Sequence, residues 1–69
     1  MEDFFAKCEC AEYWPSAQES GLDSLNWFLS MDEIQLQQAL SRIKAPNGRP
    51  ITETWGHEQR FRASLEQLR

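Results

Sequence analysis

Two cysteines one residue apart, in the run Cys8-Glu9-Cys10, are the first residues of this chain with metal-binding chemistry. The segment around them is predicted to be helical, and residues two apart on a helix point about 200° away from each other. The two sulfurs could not then hold one ion, and His57 is the only histidine that could add a further zinc ligand. We expect no metal or other cofactor, with Cys8 in the core and Cys10 a surface thiol that oxidation could join to a second copy.

His57 could act as a general base only if a nucleophile and an orienting acid converged on it. No serine or cysteine context in the sequence indicates such a group, and His57 is interpreted as a satisfied residue at the margin of a helix. Glu53 and Glu58 do not form a convincing pair of catalytic carboxylates. The sequence therefore predicts no catalytic residues, and we expect a protein that is not an enzyme.

Three tryptophans in 69 residues are the clearest functional signal. A small bundle can bury more than one face of each helix, which would place these rings in the core. The alternative is that they anchor a protein interface, because Trp, Tyr and Arg are enriched at such sites. On this hypothesis the partner-binding residues are Tyr13, Trp14, Trp27, Phe28, Trp55, Arg60 and Arg62.

The strongest element that must position these residues is an amphipathic helix over Ser30–Lys44. Ser30 is its predicted N-cap, and Glu33 completes a capping box. Its apolar residues share one stripe, which we expect to pack on the C-terminal helix. The stripe consists of Leu36, Ala39, Leu40 and Ile43.

The remaining chain completes an all-α hairpin or bundle of three to four helices in a single domain, 1–69. Residues 1–15 form an N-terminal helix or arm that Pro15 ends, and residues 16–44 form a bent helix pair with its break near Ser30. The first helix of that pair has two possible starts, Ser16 and Ser20, of which Ser20 is preferred. It is predicted to bury Leu22, Leu25 and Leu29. Residues 45–51 form a turn rich in Pro, Asn and Gly. Residues 52–69 form the C-terminal helix, capped by Thr52 and buried through Phe61, Leu65 and Leu68.

The charge is unevenly distributed within a net charge of −4. Eight acidic residues and one lysine give residues 1–40 a net charge of −7, whereas six basic and three acidic residues give residues 41–69 a net charge of +3. This asymmetry and the small core favour a homodimer. The alternative to a protein-binding function is a small DNA-binding regulator or antitoxin-like component. Against it, Asp32 and Glu33 would repel phosphate from the helix that a helix-turn-helix places on DNA.

Two cysteines without a disulfide framework, no apolar run of about 20 residues and no secretory signal are typical of a cytoplasmic protein. In being short, acidic, helical and rich in tryptophan, the chain resembles the small proteins that bacteriophages make early to inhibit host factors. Within that group it is most similar to the anti-quorum-sensing type. The resemblance implies a compact helical dimer that binds a LuxR-type transcription regulator, with the pilus-assembly ATPase as a further target. It assigns no role to any single residue.

Overall fold

Five α-helices follow one another along residues 1–69, all of which the computed structural model describes. There are no strands, so the all-α prediction is confirmed, with more helices than the three to four expected. None of the helices has the length and apolar character needed to cross a bilayer. They are α1 (Glu2–Lys7), α2 (Trp14–Glu19), α3 (Leu25–Ser30), α4 (Glu33–Arg42) and α5 (Trp55–Leu68), with 3₁₀ turns at Ala11–Tyr13 and Ile51–Glu53.

Residues 1–15, predicted as an N-terminal helix or arm, do not form one continuous helix but contain α1, a 3₁₀ turn and the start of α2. α1 ends in a Schellman motif, in which the N–H of Glu9 bonds to the carbonyl of Ala6 at 3.1 Å and that of Cys10 to Phe5 at 2.7 Å. This motif needs a left-handed residue, and Glu9 supplies it with a φ of 61°. Pro15 does not end a helix either. It lies in the first turn of α2, where its missing N–H leaves no hydrogen bond unmade.

α2 ends in the same way, which corrects the predicted helix start at Ser20. The N–H of Gly21 bonds to Gln18 at 3.2 Å, and that of Leu22 to Ala17 at 2.8 Å. Gly21, with a φ of 77°, thus closes α2 rather than opening the next helix. α3 is therefore short and begins only at Leu25. Its fully buried side chain is Phe28, while the three predicted leucines are partly buried around it.

α4 confirms the predicted apolar stripe but begins later than predicted. Asp32 is its N-cap, and a capping box joins Asp32 Oδ1 to the N–H of Gln35 at 2.8 Å and Gln35 Oε1 to the N–H of Asp32 at 3.2 Å. Ser30 instead ends α3, where its hydroxyl donates to the carbonyl of Trp27 at 2.9 Å. Met31 is extended and separates the two helices. All four predicted stripe residues are buried: Leu36, Ala39, Leu40 and Ile43.

The predicted turn between α4 and α5 is present, and it is held by backbone hydrogen bonds. The N–H of Ala45 bonds to Arg49 at 2.9 Å, and that of Ile51 bonds back to Ile43 at 2.9 Å. The following 3₁₀ turn delays α5 until Trp55, so Thr54 rather than Thr52 occupies the N-cap position. Phe61 and Leu65 are buried as predicted, whereas Leu68 is 52% exposed.

The core is centred on the ring of Phe61. Its centroid lies 5.2 Å from Phe4, 5.4 Å from Phe5 and 5.3 Å from Phe28, so α5 contacts both α1 and α3 through aromatic pairs. No polar or charged residue is fully buried in this cluster. The core thus holds the helices together by apolar packing alone, and the polar chemistry lies at its edges.

The two Schellman caps give a matched pair of stability predictions. A left-handed conformation costs a non-glycine residue roughly 1–2 kcal/mol, and Glu9→Gly removes this strain. Glycine also increases the entropy of the unfolded chain, which offsets part of the gain, so the free energy of unfolding should rise by up to about 1 kcal/mol. Gly21→Ala should lower it by about 1 kcal/mol, because a Cβ there meets no atom within 4 Å and only the backbone is strained. Urea unfolding followed by circular dichroism measures both. A destabilised Glu9→Gly variant would show that the exposed ion pair of Glu9 with Arg60 outweighs the backbone strain.

Candidate functional site

The two thiols lie together at the end of α1, which corrects the sequence interpretation of both. Because Glu9 is left-handed, Cys10 lies beyond the helix, and the 200° separation expected on a continuous helix does not apply. Cys8 is 3% exposed and Cys10 is fully buried, so Cys10 is not a surface thiol. The local reason is the Schellman motif, whose residue after the left-handed position packs back onto the helix end.

Weak hydrogen bonds fix both sulfurs against backbone carbonyls. Cys8 Sγ donates to Phe5 at 3.5 Å, and Cys10 Sγ lies 3.4 Å from the carbonyl oxygen of Cys8 and 3.5 Å from that of His57. Hydrogen bonding with Cys10 lowers the pKa of the Cys8 thiol, against the opposing effect of burial. The same interaction, together with burial, raises the pKa of Cys10. The structure contains no group of three or more His, Cys, Asp or Glu side chains that could hold a metal ion.

His57 joins the 3₁₀ turn Ala11–Tyr13 to the first turn of α5. Its Nδ1 lies 3.3 Å from the hydroxyl of Tyr13, and its Nε2 lies 3.1 Å from a carboxylate oxygen of Glu12. Both ring nitrogens therefore have partners, which fits the interpretation of a satisfied residue. Glu12 was not among the predicted residues. Its contact with His57 joins residues far apart in the sequence and has no local sequence signal.

The two predicted arginines are both engaged within the chain. Arg60 Nε donates to the carbonyl of Cys8 at 3.2 Å and lies 3.7 Å from a carboxylate oxygen of Glu9. Arg62 Nη1 lies 2.6 Å from Glu33 and its Nε lies 3.7 Å from Glu58. The arginines thus hold α5 against α1 and α4.

The predicted aromatic surface divides into exposed and packed rings. Trp27 is 63% exposed and Trp55 is 75% exposed. Trp14 is half-buried, with its ring centroid 5.6 Å from that of Phe5. Tyr13 and Phe28 are buried in the core, so their predicted place on the surface is corrected. Both face inward because the segments that carry them are short and turn back onto α5.

Two further apolar side chains are exposed that the sequence interpretation did not include. Ile34 is 70% exposed and Leu68 is 52% exposed. Ile34 could have been found from helical geometry, because at about 100° per residue it lies opposite the buried stripe of α4. The exposure of Leu68 could not have been predicted in this way, because Leu68 continues the buried stripe of α5. It is exposed because no other element covers the last turn of that helix.

A groove of about 360 Å³ lies beside Trp27, between α3 and α4. We call it the Trp27 groove. Arg42 is the only charged residue that lines it, and Arg42 belongs to none of the ion pairs within the chain. The lining consists of Leu22, Trp27, Ser30, Met31, Gln35, Gln38, Ala39 and Arg42.

The hydrogen bond between Tyr13 and His57 predicts that removing one partner or the other lowers the free energy of unfolding by different amounts. Tyr13→Phe should lower the free energy of unfolding by about 1 kcal/mol, because one hydrogen bond is lost. His57→Ala should cost more, about 1–3 kcal/mol, because it leaves the buried hydroxyl of Tyr13 without a partner. In the double variant the two losses should not add. Fully additive losses in urea unfolding would show that the two side chains do not interact.

Comparison of the chain with protein-family models, with curated proteins and with solved structures found no match.

Proposed function

We propose that this protein works by binding another protein through its exposed tryptophans, without catalysis of its own. The observation that carries the proposal is the exposure of Trp27 and Trp55 in a chain with enough other aromatic residues to fill its core. Tryptophan is the residue type most enriched among side chains that dominate binding energy at protein interfaces. Exposing two such rings leaves apolar surface in water, which a bound partner would cover.

The Trp27 groove indicates the chemistry of the segment that would bind there. The apolar part of its lining includes Trp27, Leu22 and Met31. Arg42 offers an unpaired guanidinium at the same groove, and guanidinium groups form strong paired hydrogen bonds with carboxylates. The complementary segment therefore carries an apolar side chain next to an acidic one.

The expected target follows from the resemblance to anti-quorum-sensing proteins of bacteriophages. On that basis we propose an inhibitor or adaptor that acts in the cytoplasm of the host cell and blocks a LuxR-type transcription regulator, with the pilus-assembly ATPase as a second target. The supporting features are the small all-α fold, the acidic net charge and the exposed tryptophans. Such an inhibitor would act sterically, by covering the surface with which the regulator binds DNA or dimerises.

Self-association is part of the proposal. Ile34 and Leu68 add exposed apolar surface that the proposed tryptophan interface does not use. A homodimer would cover part of it. Size-exclusion chromatography with light scattering should give twice the mass of one chain, and the mass of a single chain at all concentrations would refute the dimer.

The alternative of a DNA-binding regulator is less well supported by the electrostatics. All three arginines of α5 and its end lie beside carboxylates: Arg60 at 3.7 Å from Glu9, Arg62 at 2.6 Å from Glu33 and Arg69 at 3.9 Å from Glu66. Affinity for nucleic acid depends on lysine and arginine charges available to phosphates. The helix with the most arginines therefore offers little net positive potential.

Truncating the exposed rings tests the proposal. Trp27→Ala and Trp55→Ala should each weaken binding to a purified LuxR-type regulator by roughly tenfold or more, as expected for side chains that anchor an interface. Both variants should keep the helicity of the wild type, because neither ring is packed in the core. Titration calorimetry and circular dichroism give the two readouts.

Trp14→Ala is the matched control, since it removes the same ring from a position packed against Phe5 and should lower stability instead. Loss of helicity in Trp27→Ala and Trp55→Ala would contradict the proposal. If the wild type does not bind the regulator, the choice of target is wrong. Affinity capture from host-cell extract with wild type and both variants then shows whether any protein depends on the tryptophans.

A further inference from the structure

The run Cys8-Glu9-Cys10 contains a residue in a strained backbone conformation. Glu9 is the only non-glycine residue with a positive φ. The equivalent position in the cap of α2 is occupied by Gly21, which adopts that conformation without strain. Strained residues that the surrounding structure maintains often mark sites with a function of their own. Here the strained residue lies between the only two cysteines of the chain.

The left-handed residue changes how the two thiols face each other. On a continuous helix they would diverge by about 200°. In the structure the chain folds back at Glu9, so that both sulfurs enter the same buried region and Cys10 Sγ reaches the carbonyl oxygen of Cys8 at 3.4 Å. Arg60 fixes that carbonyl from the other side with a hydrogen bond of 3.2 Å. The divergence that keeps two cysteines of a continuous helix from the close, convergent Cβ atoms of a disulfide is therefore absent here.

We propose that Cys8 and Cys10 are a redox site, a dithiol that closes to an intramolecular disulfide by exchange with a low-molecular-weight disulfide of the glutathione class. In the first step the thiolate of one cysteine attacks the small disulfide, which forms a mixed disulfide and releases one small thiol. In the second step the other cysteine attacks the protein sulfur of the mixed disulfide and releases the second small thiol. The two cysteines lose two protons and two electrons, and the small disulfide gains them.

Cys8 is the cysteine that attacks first. Hydrogen bonding with Cys10 lowers its pKa, and it retains slight exposure, whereas Cys10 is fully buried with a raised pKa. Because both sulfurs are almost inaccessible, exchange requires that the end of α1 opens locally. The same burial disfavours a disulfide between two copies, which the sequence had left open.

The test compares the folded and the unfolded full-length chain in mixtures of oxidised and reduced glutathione. Aliquots are quenched with acid, the remaining thiols are alkylated, and the intact mass is measured. In native buffer the chain should lose two hydrogen atoms, carry no glutathione and take up no alkyl group. The equilibrium constant for forming the disulfide from oxidised glutathione should be roughly tenfold larger in native buffer than in urea, because the fold already holds the two cysteines together.

A folded chain that needs an equally or more oxidising mixture than the unfolded chain would overturn the proposal. So would a product that retains glutathione or is a covalent dimer. Cys10→Ser serves as the matched variant and should stop at one glutathione on Cys8, because no second thiol can release it. Since the native and urea series use the same wild-type chain, the result does not depend on whether that variant folds, nor on whether the tryptophans bind a partner.

Discussion

The packing of Phe61 against three other phenylalanine rings is the interaction on which the structure depends most. α1, α2 and α3 have six residues each, which is too short for a helix to be stable in water without tertiary contacts. Phe4 and Phe5 connect α1 to Phe61, and Phe28 connects α3 to it. α5, with 14 residues, is the longest helix and provides the surface onto which α1 and α3 fold.

This core also explains why tryptophans remain outside. Four phenylalanines and a tyrosine already fill the space around α5, and α4 adds its own aliphatic stripe. Around their helices, Trp27 lies about 100° from the buried Phe28 and Trp55 about 120° from the buried Phe61, so both tryptophans are directed away from the core. The two outward rings are the largest exposed apolar side chains that the structure offers to another molecule.

The features predictable from the sequence are those set by local periodicity and turn chemistry, such as the stripe of α4 and the turn over 45–51. The left-handed Glu9 was not predictable, because glutamate has no preference for that conformation and tertiary packing imposes it. Gly21 was ambiguous, since a glycine can follow one helix or lie in the first turn of the next. The contact between Tyr13 and His57 spans 44 residues and depends entirely on the fold. Of the predicted surface, Trp27 and Trp55 remain exposed, and Tyr13 and Phe28 do not.

Iodide quenching of tryptophan fluorescence tests the exposed-tryptophan surface most directly. Three variants, each with two tryptophans changed to phenylalanine, report separately on Trp14, Trp27 and Trp55. In the free protein, Trp27 and Trp55 should be quenched readily and Trp14 should be protected, and adding a purified LuxR-type regulator should shield Trp27 and Trp55. If both rings are as protected as Trp14 in the free chain at the lowest measurable concentration, they belong to the core, and the proposed binding surface does not exist.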